Sequence, residues 1–281
     1  MKKRVATAGL PRVLALGALL VSGPIMAQPV ADVQATSPLV NEQMVMATLW
    51  MQRSAEYRAL SYQAFNIARL RLDQALASHG EQDKPLAVVV DCDETVINNM
   101  AFDAYLIQQG VSYDQALWNR WEEAAQASAM PGAHDFLRYA QAKGVEVFYI
   151  TNREAEGRAR TLANLEKLDF PYVDREHVLL KTTSSNKDAR RERVRNDFDV
   201  ALLMGDNLGD FDGRYDVDDM EARSALVEAQ RDKFGDKFIV LPNPVYGKWE
   251  SALHGSDAPA SEAETAARRK QRLAPWQPAG K

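Results

Sequence analysis

Four acidic side chains and a lysine are spaced along the chain in a way that suits phosphoryl transfer. Asp91-Cys92-Asp93-Glu94-Thr95 follows directly on the apolar run Leu86-Ala87-Val88-Val89-Val90. Later come Thr151-Asn152-Arg153, Lys187 and Gly205-Asp206-Asn207-Leu208-Gly209-Asp210. A carboxylate is a competent nucleophile towards phosphorus and divides hydrolysis into two easier displacements. Asp91 is the expected nucleophile. Asp93, two residues on, is placed to protonate the leaving oxygen and later to take a proton from water. A phosphate facing several carboxylates is repelled unless a cation intervenes. Asp206 and Asp210, with Asp91, are hard oxygen ligands of the kind Mg²⁺ takes. Lys187 offers a point charge to the phosphoryl oxygens, and Thr151 with the amides after it offers hydrogen bonds.

Each piece has a plainer reading. Asp-x-Asp after a strand can be a helix cap and turn, Gly-Asp-Asn is common in loops, and a lone lysine is usually solvated. The informative point is convergence, which depends on the elements that carry the pieces. Leu86–Val90 reads as a strand buried on both faces. Further strands are expected at 145–150, 177–180, 200–204 and 238–241, with helices at 134–142, 155–168 and 187–195 between them. That alternation implies an α/β fold with a mainly parallel sheet. In such a sheet ligands bind beyond the carboxyl ends of the strands, where all the pieces fall. Residues 43–78 read as helical, with Ser54 marking a break and His79-Gly80 a stop. A polar and aromatic insertion spans 100–130. Beyond Gly255 the chain is rich in Ala, Ser, Glu and Lys/Arg and is expected to be a polar, flexible tail, 255–281.

Composition narrows the field. The 281 residues are 46% hydrophobic and 26% charged, which is ordinary globular usage. The single cysteine, Cys92, rules out an intramolecular disulfide and zinc sites built on cysteine pairs. In an extended segment Cys92 points away from its acidic neighbours, so a packed core thiol is expected. The four histidines show no metal-ligand spacing and are read as structural or surface residues. A formal charge of −5 lacks the basic footprint of a polymeric nucleic-acid binder. Residues 1–27 read as a cleavable secretory signal: Lys2, Lys3 and Arg4, then an apolar stretch too short to span a bilayer, then Met26-Ala27. Its removal leaves 30 basic against 39 acidic residues. No cysteine follows the apolar stretch, so no lipid anchor is expected, and a bacterial periplasm is the simplest destination.

Together Asp-x-Asp-x-Thr, Tyr149-Ile150-Thr151-Asn152-Arg153, Asn186-Lys187-Asp188-Ala189-Arg190, Gly205-Asp206-Asn207-Leu208-Gly209-Asp210-Phe211 and Leu241-Pro242-Asn243-Pro244-Val245-Tyr246-Gly247-Lys248-Trp249-Glu250 resemble the haloacid dehalogenase (HAD) superfamily. More narrowly, the chain resembles class C acid phosphatases, including the secreted 5′-nucleotidases of the lipoprotein e family, over nearly all of residues 28–254. The resemblance implies a Rossmannoid parallel sheet flanked by helices, with a small helical cap built from about 43–78 and 100–130. It implies Asp91 as nucleophile and Asp93 as acid/base, with the Asp93 carbonyl, Asp91 and Asp206 on Mg²⁺ and Asp210 holding a metal-bound water. Thr151, Asn152 and Lys187 would hold the phosphate. Phe102, Trp118, Trp121 and Tyr246 are candidates to stack on a nucleotide base, a contact that tolerates any base. For the two tryptophans, on one helical face, packing of the cap is an equal alternative. Relatives suggest a homodimer.

Two departures bear on substrate and anchoring. Lipoprotein members carry a cysteine after the signal, and here there is none. After Thr95 the chain reads Val96-Ile97-Asn98-Asn99-Met100-Ala101-Phe102, where relatives often have Asp-Asn-Ser-Pro-Tyr. Gly209 also replaces an acid often found beside the last aspartate, with the Asp206–Asp210 spacing kept. The expected activity is a Mg²⁺-dependent acid phosphatase acting on small phosphomonoesters, foremost nucleoside 5′-monophosphates. The alternatives are a broad scavenging phosphomonoesterase and a non-catalytic binding or storage relative.

Overall fold

The structure, a computed structural model, describes residues 38–276. The expected leader 1–27 and residues 277–281 lie outside the described residues. Two helices open the fold, α1 (Pro38–Arg53) and α2 (Ala55–Ser78), and they part at Ser54 as the sequence indicates. The Ser54 hydroxyl accepts the Tyr57 amide at 3.0 Å, satisfying one of the free N–H groups at the start of α2. Tyr57, Ala64, Phe65, Ala68 and Leu72 form the buried stripe of α2, at the three-, four- and seven-residue steps of one helix face.

Next come β1 (Leu86–Val90), β2 (Ile97–Asn98), α3 (Met100–Gln109), α4 (Gln115–Ala124), β3 (Ser128–Ala129) and α5 (Ala133–Ala142). The chain continues through β4 (Glu146–Glu154), α6 (Arg158–Lys167), β5 (Val178–Lys181), α7 (Asp188–Asp197) and β6 (Asp199–Gly205). It ends with α8 (Met220–Ala229), β7 (Phe238–Val240), α9 (Lys248–Ser251) and α10 (Glu262–Gln271). Five strands form one parallel sheet in the order β5-β4-β1-β6-β7. The chain builds outward from β1 on one side, then returns and builds on the other. The reversal falls between β1 and β6, and a crevice opens there at their carboxyl ends.

Every residue of β1 is buried, and its side chains divide by parity. Leu86, Val88 and Val90 face a core that includes Phe65 and Leu72 of α2 and Phe136 and Leu137 of α5. Ala87 and Val89 face a smaller core with Phe148, Leu179, Leu203 and Phe211. Cys92 continues the first parity and is fully buried in the larger core, as expected. Asp91 belongs to the other parity and stays at the rim.

The insertion sits between β2 and β3, which pair antiparallel with Ile97 opposite Ala129. It carries α3 and α4 over the carboxyl end of the sheet, and α1 packs against α3. The expected strand 145–150 runs on to Glu154 as β4, so Thr151, Asn152 and Arg153 belong to the strand itself. The stretch expected to be a flexible tail differs most from the sequence reading. Glu262–Gln271 form α10, capped by Ser261, whose hydroxyl accepts the Glu264 amide at 3.2 Å. Ala266 is buried, α10 packs on α1, and Arg269 reaches Gln43 and Glu250, each at 2.7 Å. Its apolar stripe is so thin that polar contacts and capping carry the docking, and hydrophobic periodicity does not register it. No described helix is long and apolar enough to cross a membrane.

Candidate active site

The nucleophile candidate is fixed by the strand it ends. The Asp91 amide donates to the Met204 carbonyl at 2.9 Å, extending the β1–β6 ladder to the last residue before the turn. The next turn places Glu94 at φ +57°, in the left-handed region. Its backbone curls so that the amides of Val96 and Ile97 both donate to the Cys92 carbonyl at 2.9 Å. This tight loop carries Asp91 and Asp93 to the rim and launches the insertion.

Asp91, Asp206 and Asp210 each present a carboxylate oxygen, and the three oxygens lie within 4.8 Å of one another. Gly205 makes the approach of Asp210 feasible: a Cβ there would lie 2.4 Å from the Cβ of Asp210. Asp210 Oδ2 accepts the Asn207 amide at 3.0 Å, which fixes its rotamer. Asn243 donates to Asp206 Oδ2 at 2.9 Å. Lys187 Nζ donates to Asp91 Oδ1 and stands 2.6 Å from Asp210 Oδ1.

Burial pushes the Asp91 carboxyl up to about 7, against the pull of Lys187 and with the neighbouring charges of Asp210 and Asp93 adding to the rise. Burial and the charges of Asp210 and Asp91 push Asp206 well above the usual carboxylate range. Burial alone would lower the Lys187 ammonium; Asp210 and Asp91 outweigh it and raise its pKa. One lysine among three crowded carboxylates leaves negative charge uncompensated. Hard oxygen donors with that excess fit a divalent cation of the Mg²⁺ or Ca²⁺ type. Asp91, Asp206 and Asp210 are the side chains that would hold it.

Asp93 has different company. Arg153 donates to its Oδ1 from Nη2 at 2.7 Å and from Nε at 3.0 Å, and Asn99 donates from Nδ2 at 2.8 Å. Arg153 is buried, stacks over the Trp118 ring at 5.4 Å and also faces Glu122 at 3.7 Å. Burial alone would lower its pKa, but the charge and hydrogen bonds of Asp93 raise it further, so it stays a cation. Trp121 Nε1 donates to Asn99 Oδ1 at 2.8 Å, locking the amide so that its NH₂ faces Asp93.

The remaining site residues divide. Asn152, Lys187, Asp206 and Asp210 line one basin with Asp91 and Asp93. Thr151 is fully buried, its hydroxyl accepts the Arg153 amide at 3.2 Å, and it is not among the residues lining that basin. Beside the basin opens a cavity of about 560 Å³ that shares Asp93, Asn152 and Tyr246 with it. Phe102, Tyr113 and Trp118 form its aromatic wall, with Phe102 edge-on to Trp118 at 5.1 Å. Trp121 does not line it; that side chain packs against the core.

Sequence reasoning assigned no role to Arg153, Asn99, Glu94 or Asp103. Glu94 is fully buried; it accepts the Asn99 amide at 2.6 Å and the Tyr246 hydroxyl. Burial and the charges of Asp103 and Asp93 raise its pKa well above the ordinary value. A third acid in Asp-Cys-Asp-Glu was the available signal for Glu94, and Arg153 adjoined a residue already singled out. Nothing in the local sequence marks Asp103, which lines the aromatic cavity.

An acidic cluster at the reversal of a parallel sheet, beneath a two-helix insertion, defines the class. Residues 21–249 match the model of the HAD superfamily, subfamily IIIB (acid phosphatase), and the chain belongs to that family. It is similar to the class C acid phosphatase of Bacillus anthracis in two solved structures, one of them with tungstate bound. Each is 39% identical with a TM-score of 0.81, over 86% of this chain and 100% of that one. The chain is accordingly a phosphomonoester hydrolase.

Proposed function

We propose that the chain is an exported, Mg²⁺-dependent acid phosphatase that hydrolyses nucleoside 5′-monophosphates through an aspartyl-phosphate. The observation that carries this reading is the junction of the acidic basin with the aromatic cavity, joined through Asp93, Asn152 and Tyr246. A phosphate in the basin leaves its ester group facing a cavity sized for a nucleoside and walled by rings.

The carboxylate of Asp91 attacks phosphorus as the bond to the leaving oxygen breaks, and Asp93 gives that oxygen its proton. Arg153 and Asn99 hold Asp93 in place and receive the carboxylate left behind. Water then attacks phosphorus, Asp93 takes its proton, and Asp91 is released. Lys187 and Asn152 face the basin where the phosphoryl oxygens would lie, and Thr151 supports the strand end from below. A bound divalent cation would supply charge neutralisation for the phosphate and keep the crowded carboxylates ionised. The leader 1–27, removed on export, would place the enzyme in a periplasm without a membrane anchor.

The test is turnover of AMP and of a small aryl phosphate by purified protein, with and without EDTA. AMP should be preferred, and chelation should abolish both activities. Equal efficiency on nucleotides, sugar phosphates and aryl phosphates would favour the broad scavenging reading. Full activity in EDTA would remove the cation.

A further inference from the structure

A second cleft, of about 560 Å³, opens between the carboxyl end of β5 and α7. It lies across the loop 182–186 from the catalytic basin: Ser185 lines the basin, whereas Ser184 and Asn186 line the cleft. We propose that this cleft is an accessory anion site for a multiply charged phosphate group, held by Arg158, Arg175 and Arg193 beside Arg190.

Charge and donor count carry the proposal. Four arginines line the cleft and Glu176 is its single carboxylate. Thr182, Thr183 and Ser184 add hydroxyls from the loop. A protein of net charge −5 has a surplus of acids with which to pair its arginines, yet here it does not. The side chains of Arg175 and Arg193 make no hydrogen bond or ion pair with any described residue, and both residues are exposed. Arg158 is anchored by donating to the Val178 carbonyl at 2.8 Å, so it cannot swing away from the other two. Burial, followed by the charges of Arg175 and Arg193, lowers its pKa. The three guanidiniums therefore repel one another within one concavity, and an oxyanion placed between them relieves that repulsion.

Arg190 lines the cleft and bonds Asn152, which lines the basin. It donates to the Thr151 carbonyl at 2.5 Å and to Asn152 Oδ1 at 2.6 Å on β4, and at 3.3–3.5 Å to the carbonyls of Leu179, Ser184, Ser185 and Asn186, so its donors are spent on protein acceptors. The anion would rest against its charge and take its direct contacts from the other three arginines and the hydroxyls. Planar guanidinium forks match phosphate oxygens bidentately, and several cations around one cleft favour an oxyanion carrying two or more charges. The shared chemistry is a phosphate group, either free or as part of a diphosphate.

Isothermal titration of the full chain, with divalent cation present, tests this with inorganic phosphate and with methylenediphosphonate as probes. Wild type should bind two phosphates per chain, one in the catalytic basin and one in the cleft. Arg175→Ala/Arg193→Ala should weaken the second event at least 10-fold, with kcat and KM for an aryl phosphate unchanged within twofold. Glu176→Gln should tighten it, because the one opposing carboxylate is gone. Tighter binding of the diphosphonate identifies a diphosphate group as the better occupant; equal binding identifies free phosphate. A single phosphate per chain in wild type would overturn the proposal. So would a second event that the double alanine variant leaves unaltered.

Discussion

The Tyr246 hydroxyl donates to Glu94 Oε2, joining two residues that lie 152 positions apart in the chain. Glu94 belongs to the turn that carries Asp91 and Asp93, the proposed catalytic aspartates, and Tyr246 to the loop after β7. The bond ties the opposite walls of the site together and aligns the Tyr246 ring between basin and cavity. Removing the hydroxyl leaves a fully buried carboxyl with the Asn99 contacts alone. Tyr246→Phe should therefore cost roughly 1–3 kcal/mol of unfolding free energy, the range for orphaning one partner of a buried hydrogen bond. Denaturant titration of the variant beside wild type measures this, and an unchanged midpoint would contradict it.

Lys187 gives a sharper case. It is the cation shared by Asp91 and Asp210, and replacing it strands two buried carboxylates. Lys187→Met should lose about 3–5 kcal/mol of stability in chelator, the usual cost of breaking a buried ion pair from one side. Added Mg²⁺ should recover part of that loss, because a ligand that binds only the folded state stabilises it. Thermal melts with and without the ion read both effects. A variant melting as wild type does in EDTA would show the lysine to be dispensable to the cluster.

The Arg153 fork on Asp93 predicts that a flexible point charge is a poor replacement. Arg153→Lys keeps the charge but loses the paired donors and the stack over Trp118. We expect kcat to fall about 10²- to 10⁴-fold, the range for misplacing an acid/base group, while KM changes little. Steady-state kinetics on an aryl phosphate decide it, and near-wild-type kcat would sink the assignment.

Trp118 and Trp121 occupy one face of α4 yet should report differently. Trp118 lines the cavity, so Trp118→Ala should raise KM for AMP roughly 5- to 100-fold, as loss of one ring stack does, and raise it far less for an aryl phosphate. Trp121 holds Asn99, so Trp121→Ala should lower kcat on both substrates. Identical profiles for the two variants would refute the division of roles.

Burial pushes Asp103, on the cavity wall, up to about 7. A carboxyl whose pKa is raised on folding favours the native state below its ordinary value, 3.8, and loses that contribution as pH rises to about 7. The full swing is on the order of 4 kcal/mol, at about 1.4 kcal/mol per pKa unit. Asp103→Asn should therefore gain stability relative to wild type between pH 5 and pH 8. Parallel stability curves for the two proteins across that range would contradict it.

That Asp91, Asp206 and Lys187 meet at the rim was legible in the sequence, because strand-end position follows from hydrophobic runs and position at the rim determines proximity. The break at Ser54 was legible from capping chemistry alone. Arg153, Asn99 and Glu94 were not, because a buried polar network depends on which distant groups meet, and local pattern carries no record of that. Trp121 illustrates the limit: periodicity placed it beside Trp118, and only the position of Asn99 separates the two. α10 was missed for a related reason, since one buried alanine and a few ion pairs leave no apolar stripe to read.

Side-chain parity along the first strand has a practical result. The protein's sole thiol adjoins Asp91, the proposed nucleophile, in sequence but is sealed beneath it, and burial raises its pKa. Alkylating reagents should reach it only when the strand end works loose from the helices behind it. Its labelling rate is thus a built-in clock for opening of the catalytic edge, readable without adding any probe to the molecule.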